Sequence, residues 1–150
     1  MESGDERYER RMVEAAGIRD RFEVVVVDDG SRDGTADALA GIDGTKQNGK
    51  PCLTNKTKVL YYKLLTYAVT TLKALPATHV YIDAGNSAWD ADAKAMATRL
   101  KRAGVQKADG FSLNISNFQT TENSMAYGND IAALVEGKHF VVDTSRNGRG

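Results

Sequence analysis

The segment HVYIDAGNSAW, His79–Trp89, sets the pattern from which the fold follows. It begins with a short apolar run typical of a buried strand, and it ends in polar residues typical of a loop. Three other runs have this form, and they lie at Phe22–Val27, Phe111–Ile115 and Phe140–Val142. The sequence therefore predicts four strands, each followed directly by polar residues.

Helical patterns separate these strands. A leucine repeat that includes Leu60 and Leu64 predicts a long helix over Asn55–Leu75, and an earlier helix is predicted over about Glu6–Ala16. Between the first strand and the long helix, the polar stretch Gly41–Lys58 is predicted to be a solvated loop.

Two further helices are predicted downstream. The first is capped by Asp90, turns Met96 and Leu100 inward and ends at Gly104, and the second spans about Glu122–Glu136. Alternating strands and helices indicate an α/β fold with a parallel sheet. On the residues alone, this is either a small doubly wound domain or part of a barrel.

Composition narrows the possible functions. The chain has 150 residues, 41% apolar and 27% charged, which is typical of one globular domain. Its 20 basic and 20 acidic residues balance, so neither nucleic acid nor an anionic membrane is an expected partner. No apolar run is long enough to span a membrane. Met1–Arg11 has no apolar core, so no signal peptide is expected in this chain.

Cysteine and histidine usage gives little sign of a bound ion. Cys52 is the sole cysteine, and it is either a simple thiol or half of a bridge to a residue outside this chain. His79 and His139 stand apart in the sequence and read as structural residues. Neither a metal nor a cofactor is predicted.

Polar side chains follow all four predicted strands. In parallel α/β folds, the active site lies beyond the carboxyl ends of the strands. The residues at these ends are Asp28, Asp29, Asp83, Asn86, Asn114, Asn117, Asp143 and Arg146. Asp and Asn also form turns and helix caps. All four predicted strands, however, end in such residues, and this favours a shared site over separate turns. Together with Trp89, amides and carboxylates suit a sugar, because amides bind hydroxyls and an indole stacks on a pyranose.

Four sequence blocks resemble glycoside hydrolase family 6. They are VYIDAGNSAW (Val80–Trp89), GFSLNISNF (Gly110–Phe118), YGN (Tyr127–Asn129) and DTSRNG (Asp143–Gly148), in family order and at family spacing. The resemblance implies part of a distorted (β/α) barrel that hydrolyses β-1,4-glucan with inversion. It also implies an extracellular protein, without distinguishing endo from exo action.

The same resemblance implies roles for individual residues. Asp83 is similar to an aspartate near the scissile bond, and Trp89 is similar to a sugar-stacking tryptophan. Asn117 is similar to a hydroxyl-binding amide, and Arg146 is similar to an arginine that pairs with active-site carboxylates. Three more residues are expected to bind substrate: Asn86, Asn114 and Asn129. Asn86 stands where the family usually has histidine.

The general acid is placed by a weaker match. TADALA, Thr35–Ala40, resembles the family block that carries the acid, which makes Asp37 the candidate proton donor. The family's upstream D-R-D-C block, which would supply a disulfide partner for Cys52, and its downstream base segment have no counterpart here. The prediction is therefore one partial catalytic domain over 1–150, hydrolase-like over 36–150, with 1–35 of uncertain origin.

A competing resemblance lies near the N-terminus. EVVVVDDGSRDGT, Glu23–Thr35, is similar to the nucleotide-binding block of family 2 glycosyltransferases, which implies a nucleotide sugar as substrate. Alternatively, the segment is a barrel strand with an insertion at Asp28–Gly34, and Asp28 and Asp29 are rim carboxylates. A third possibility is a non-catalytic fragment that binds glucan weakly. The sequence leaves these alternatives and the oligomeric state open.

Overall fold

The computed structural model describes residues 24–26, 46–47, 50–51, 53–89 and 91–147. In chain order its elements are β1 (Val24–Val26), β2 (Lys46–Gln47), β3 (Lys50–Pro51), α1 (Asn55–Lys73), β4 (His79–Asp83), α2 (Ala93–Ala103), β5 (Gly110–Leu113), α3 (Thr121–Leu134) and β6 (His139–Val142). Four strands form one parallel sheet in the order β1-β4-β5-β6, which confirms the predicted α/β class. The predicted helix over Glu6–Ala16 lies outside the described residues.

The three helices within the described residues cover one face of the sheet. Sheet order follows chain order, and parallel crossovers are right-handed, so each helix falls on the same side. Helix α2 contacts both α1 and α3. The core between this layer and the sheet contains Val69, Val80, Ile82, Met96, Leu100, Phe111, Leu113 and Ile131. Because strand side chains alternate, Tyr81, Asp83 and Ser112 lie on the opposite face.

The leucine repeat predicts helix α1 correctly but does not form its buried face. Leu60 and Leu64 are 53% and 55% exposed, whereas Tyr62, Leu65 and Val69 are buried. A repeat of four residues advances about 40° around the helix at each step, so it winds away from any one face. Spacings of three and four in alternation, as in the buried set, stay on one face.

The predicted loop over Gly41–Lys58 is wrong in its middle and at its C-terminal end. It contains the antiparallel pair β2 and β3, and helix α1 already begins at Asn55, where Thr54 caps it through a hydrogen bond from the Thr57 amide. The sequence did hold a hairpin signal, because Asn48-Gly49 is the dipeptide that favours a tight two-residue turn.

Helix α2 begins at a different cap from the predicted one. Asp92 is the N-cap, because its Oδ1 accepts hydrogen bonds from the Lys94 and Ala95 amides at 3.0 Å. The prediction of Asp90 as the cap is therefore wrong. The predicted end is confirmed, since Gly104 takes the left-handed conformation with φ 93°.

Helix α3 approaches β6 closely at a glycine. A Cβ atom on Gly128 would lie 2.4 Å from the ring of Phe140, which stacks on Phe111 with ring centroids 5.5 Å apart. Any side chain at this position would displace the Phe140 ring or push the helix away from the sheet. The glycine of the YGN block thus has a packing reason, and Tyr127 beside it is buried.

Asp109, directly before β5, fixes the amino end of the sheet. Its Oδ2 accepts from the Val80 amide at 2.7 Å, and Lys73 Nζ donates to both of its oxygens at 2.9 and 3.0 Å. Burial alone would raise the pKa of Asp109, but hydrogen bonds from Lys73 and Val80, with the charges of Lys73 and His79, lower it below 3.8. Burial and the Asp109 charge raise the pKa of Tyr81 above 10.0.

We expect Asp109→Asn to lower the free energy of unfolding by about 1–2 kcal/mol at neutral pH, because the charge-assisted hydrogen bonds are lost. A carboxylate with a lowered folded-state pKa stabilises the fold above its unfolded pKa, and that contribution disappears as the pH falls through the folded pKa. The gap between variant and parent should therefore be constant at neutral pH and shrink below 3.8.

Urea unfolding at neutral pH and in acid measures this gap. Asp130→Asn is the control, since Asp130 is an exposed carboxylate on α3. Its replacement should leave the free energy of unfolding unchanged both at neutral pH and in acid. A gap that stays constant into strong acid would contradict the stabilising role of the Asp109 carboxylate.

Candidate active site

The carboxyl end of β4 presents a buried carboxylate. Asp83 is 9% exposed, and its Oδ1 accepts a hydrogen bond from the Gly85 amide at 2.9 Å. Gly85 has φ 67°, a conformation that glycine adopts without strain, and the chain turns sharply there. The predicted catalytic residue therefore lies at the strand end, held by its own turn.

Asn86 shapes the turn that carries Trp89. Its Oδ1 accepts from the Ala88 amide at 3.0 Å, and its backbone oxygen accepts from the Trp89 amide at 3.2 Å. The Asn86 side chain is only 3% exposed, whereas Trp89 is 53% exposed. A buried amide thus holds an indole at the surface, where its face is available for stacking. Substrate contact by Asn86 itself stays a prediction.

Asn114 joins the ends of β5 and β6. It is fully buried, and its Nδ2 donates to the Gln119 and Asp143 backbone oxygens at 3.2 and 3.0 Å. Its Oδ1 accepts from the Gln119 amide at 3.0 Å. Its φ of 62° ends β5 at Leu113, earlier than the predicted Ile115. The structure gives Asn114 a structural role, and substrate binding by it stays a prediction.

Asp143 was predicted to lie at the shared strand-end site, but sequence reasoning assigned it no individual role. It is buried, and its two oxygens accept from the Ser116 amide at 2.7 Å and the Ser145 amide at 2.8 Å. It therefore fastens the loop after β5 to the loop after β6. A signal for this role existed, because an aspartate at a strand end with a serine two residues later commonly forms a side-chain turn.

Arg146 lies against the loop that follows β5. Its Nη1 donates to the Ser116 oxygen at 3.4 Å, and its guanidinium carbon lies 5.9 Å from the centre of the Phe118 ring. Asn117 is half-buried, and its Oδ1 accepts from the Phe118 amide at 3.0 Å. Asn117, Phe118 and Arg146 thus form one patch at the carboxyl end. The expected pairing of Arg146 with carboxylates stays a prediction.

Backbone contacts bring these strand ends together. The Asn114 amide donates to the Gly85 oxygen at 2.8 Å, and the Asp143 amide donates to the Leu113 oxygen at 2.9 Å. The loops after β4, β5 and β6 are therefore directly linked. Strand β1 runs parallel to β4, with Val26 opposite Tyr81, so its carboxyl end faces the same edge.

Not every predicted residue reaches this edge. Asn129 lies eight residues into α3, about 12 Å along the helix from its start. It lines a groove of about 480 Å³ along the outer side of β6, together with Phe140 and Val142. The predicted acid Asp37 and the rim carboxylates Asp28 and Asp29 lie outside the described residues.

The described helices and side chains match neither a membrane span nor a metal centre. No described helix combines the length and the hydropathy of a membrane span. Among residues 53–89 and 91–147, no three His, Cys, Asp or Glu side chains converge as metal ligands.

Comparison with known proteins gives a consistent family assignment. Residues 7–150 match the sequence model of the family described as glycosyl hydrolases family 6. Endoglucanase 1 of Streptomyces halstedii is 50% identical over 93 residues, which cover 58% of this chain and 29% of that protein. Endoglucanase 1 of Streptomyces sp. (strain KSM-9) is 38% identical over 139 residues, covering 91% of this chain and 34% of that protein.

A solved structure shows the same fold. It is the endoglucanase Cel6 from Mycobacterium tuberculosis in complex with methyl-cellobiosyl-4-deoxy-4-thio-β-D-cellobioside, at 36% identity and a TM-score of 0.71. The match covers 96% of this chain and 57% of that one. The family match also runs through Glu23–Thr35, and β1 within it pairs with β4, which favours a barrel strand over a separate nucleotide-binding segment.

Proposed function

Because the chain belongs to glycosyl hydrolase family 6, we propose that it forms part of the catalytic domain of an enzyme that hydrolyses β-1,4-glucan. The chain spans 29% and 34% of the length of two curated relatives that it matches. The observation that carries the proposal is the loop after β4, which joins buried Asp83 to exposed Trp89 through the turn at Asn86. This loop therefore carries one carboxylate and one exposed indole, and the second carboxyl group that an inverting glycosidase needs must come from another segment.

The proposed reaction proceeds with inversion at the anomeric carbon. One carboxylic acid protonates the leaving oxygen while a carboxylate activates a water on the opposite face of the sugar ring, and the two groups lie about 6.5–9.5 Å apart. Asp37 is proposed as the acid, and Asp83 is proposed to contact the sugar near the scissile bond. Cellulose is a polymer too large to enter a cell intact, so the proposed site of action is extracellular.

The surface beside Asp83 offers groups that suit glucan. Trp89 exposes an apolar face, Asn117 carries an amide at the same end of the sheet, and Arg146 lies on the next loop. Pyranose rings have apolar faces and hydroxyl edges, so an indole and an amide address the two parts separately. Weak binding of a cello-oligosaccharide is expected even if the chain alone turns over slowly.

Trp89 provides a direct test because it is the only tryptophan in the chain. We expect cellotetraose to change its fluorescence in a saturable way, since stacking removes water from the indole. Trp89→Ala should weaken cellotetraose binding roughly five- to tenfold in calorimetry, the value of one aromatic stacking contact.

Two controls make this test specific. Tyr67→Ala removes an exposed aromatic residue from α1 and should leave cellotetraose affinity unchanged. Maltotetraose, which has the same sugars in α-1,4 linkage, should give no saturable response. Equal binding of both sugars, or full affinity in Trp89→Ala, would rule out the proposed glucan site.

A further inference from the structure

Two buried side-chain atoms near Asp83 have no hydrogen-bond partner within the described part of the chain. One is the hydroxyl of Ser112, which is fully buried, and the other is Nδ2 of Asn86. Native proteins almost always satisfy such groups, either with protein atoms or with ordered water. Each of these atoms therefore needs a physical explanation.

Ser112 lies directly beside Asp83 in the sheet. The two residues are Cα partners of neighbouring parallel strands, so their side chains leave the same face of the sheet. The next residues on either side of Ser112 are Phe111 and Leu113, which belong to the core on the helix side. The serine hydroxyl therefore faces the polar side, next to a carboxylate.

Backbone hydrogen bonds hold the turn after Asp83 against this part of β5. The Ala84 amide donates to the Ser112 oxygen at 2.9 Å, and the Asn114 amide donates to the Gly85 oxygen at 2.8 Å. Asn86 follows directly and is buried, with its Oδ1 already bonded to the Ala88 amide. Its unpartnered Nδ2 is thus a second buried donor, in the turn that directly follows Asp83.

We propose that Ser112, Asn86 and Asp83 bind one buried water molecule. The water oxygen accepts hydrogen bonds from the Ser112 hydroxyl and from Asn86 Nδ2, and one water hydrogen is donated to the Asp83 carboxylate. Three partners is the usual number for a buried water. Ser112 is then a positioning residue, because it acts on Asp83 through the water; its relevance to glucan rests on the proposed function, whereas the water site does not.

A double-mutant cycle separates this proposal from simple packing. Ser112→Ala should lower the folded-to-unfolded equilibrium constant about fivefold, the value of one net hydrogen bond. In Asp83→Asn, Oδ1 can keep the Gly85 bond while an amide NH₂ replaces the other oxygen, so the water loses its acceptor. In that background, Ser112→Ala should change the equilibrium constant less than twofold.

Ser124 supplies a matched control. Its hydroxyl is also buried and without a partner among the described residues. Ser124 lies in helix α3, however, and so it is not a strand partner of a carboxylate as Ser112 is. Removing a dry hydroxyl should not destabilise the fold. Ser124→Ala should therefore leave the equilibrium constant unchanged or raise it, and the effect should be equal in the parent and in the Asp83→Asn background.

Urea unfolding measures the equilibrium constants of the parent, the three single variants and the two double variants, and a high-resolution crystal structure of the chain tests the water directly. The expected density is one water within about 2.5–3.0 Å of Ser112 Oγ. The proposal is overturned if Ser112→Ala is neutral or stabilising, if its effect adds to that of Asp83→Asn, or if no water lies there. None of these measurements involves a sugar, so a failure of glucan binding would leave the water site standing.

Discussion

Gly110→Ala is expected to reduce the free energy of unfolding by about 3 kcal/mol, because overpacking against an immovable neighbour is among the costlier core changes. A Cβ atom at this position would lie 1.9 Å from the backbone oxygen of His139. Gly110 and His139 are register partners in β5 and β6, so the clash can be relieved only by separating the strands. Strand β5 also pairs with β4, which leaves it no free side toward which to shift.

Urea unfolding followed by circular dichroism measures the loss, and Gly137→Ala is the matched control. Gly137 has φ 70° and open space around its Cα, so alanine there costs only the conformational strain, about 1–2 kcal/mol. If Gly110→Ala proved no more costly than Gly137→Ala, the close approach of β5 to β6 would be wrong.

Sequence patterns predicted the elements better than their internal contacts. Alternating apolar runs and helical periods identified each described strand of the sheet and each described helix, since these periods reflect burial directly. The Gly110 contact was not predictable, because the glycine precedes the apolar run and resembles a loop residue. Only the register between two distant strands reveals what its missing side chain would meet.

Polar residues show the limit more clearly. Asn114 and Asn117 stand three residues apart after the same strand, and both were predicted to bind sugar. The structure uses both amide hydrogens of Asn114 inside the protein and leaves Asn117 half-buried at the surface. A sequence shows that an amide is present at the strand end. Its partner depends on the loop from β6, whose Asp143 oxygen accepts from Asn114, and that contact spans 29 positions along the chain.

The position of Asn129 illustrates the same point on a larger scale. Asn129 of the YGN block was predicted to bind substrate; the block lies within α3, where Gly128 packs against β6. Substrate binding by Asn129 stays a prediction. A helix runs back from the carboxyl ends of the strands, so each turn carries its residues about 5.4 Å farther from the rim. Family order and spacing identify such a block, but they do not separate residues that bind substrate from residues that hold a helix in place.

Asp83→Asn is expected to lower the hydrolysis of a soluble cellulose derivative about 100-fold, because it removes a negative charge that is proposed to lie near the scissile bond, where charge develops in the transition state. The substitution keeps an oxygen that can accept from the Gly85 amide, so the turn that leads to Trp89 should persist. Cellotetraose should then change Trp89 fluorescence with nearly the parent affinity, which separates a chemical defect from a binding defect. Asp37→Asn should also abolish hydrolysis if Asp37 is the acid.

The release of reducing ends measures turnover. Asp109→Asn is the control, because it should change stability and not turnover. Asp109 lies at the amino end of the sheet, where it binds Lys73 and the Val80 amide, so its replacement should lower stability and leave turnover unchanged well below the melting temperature. Equal turnover in Asp83→Asn and the parent would remove Asp83 from the chemistry. Release by the parent no faster than in buffer would refute hydrolysis by this chain, while its membership of the family, which rests on residues 7–150, would stand.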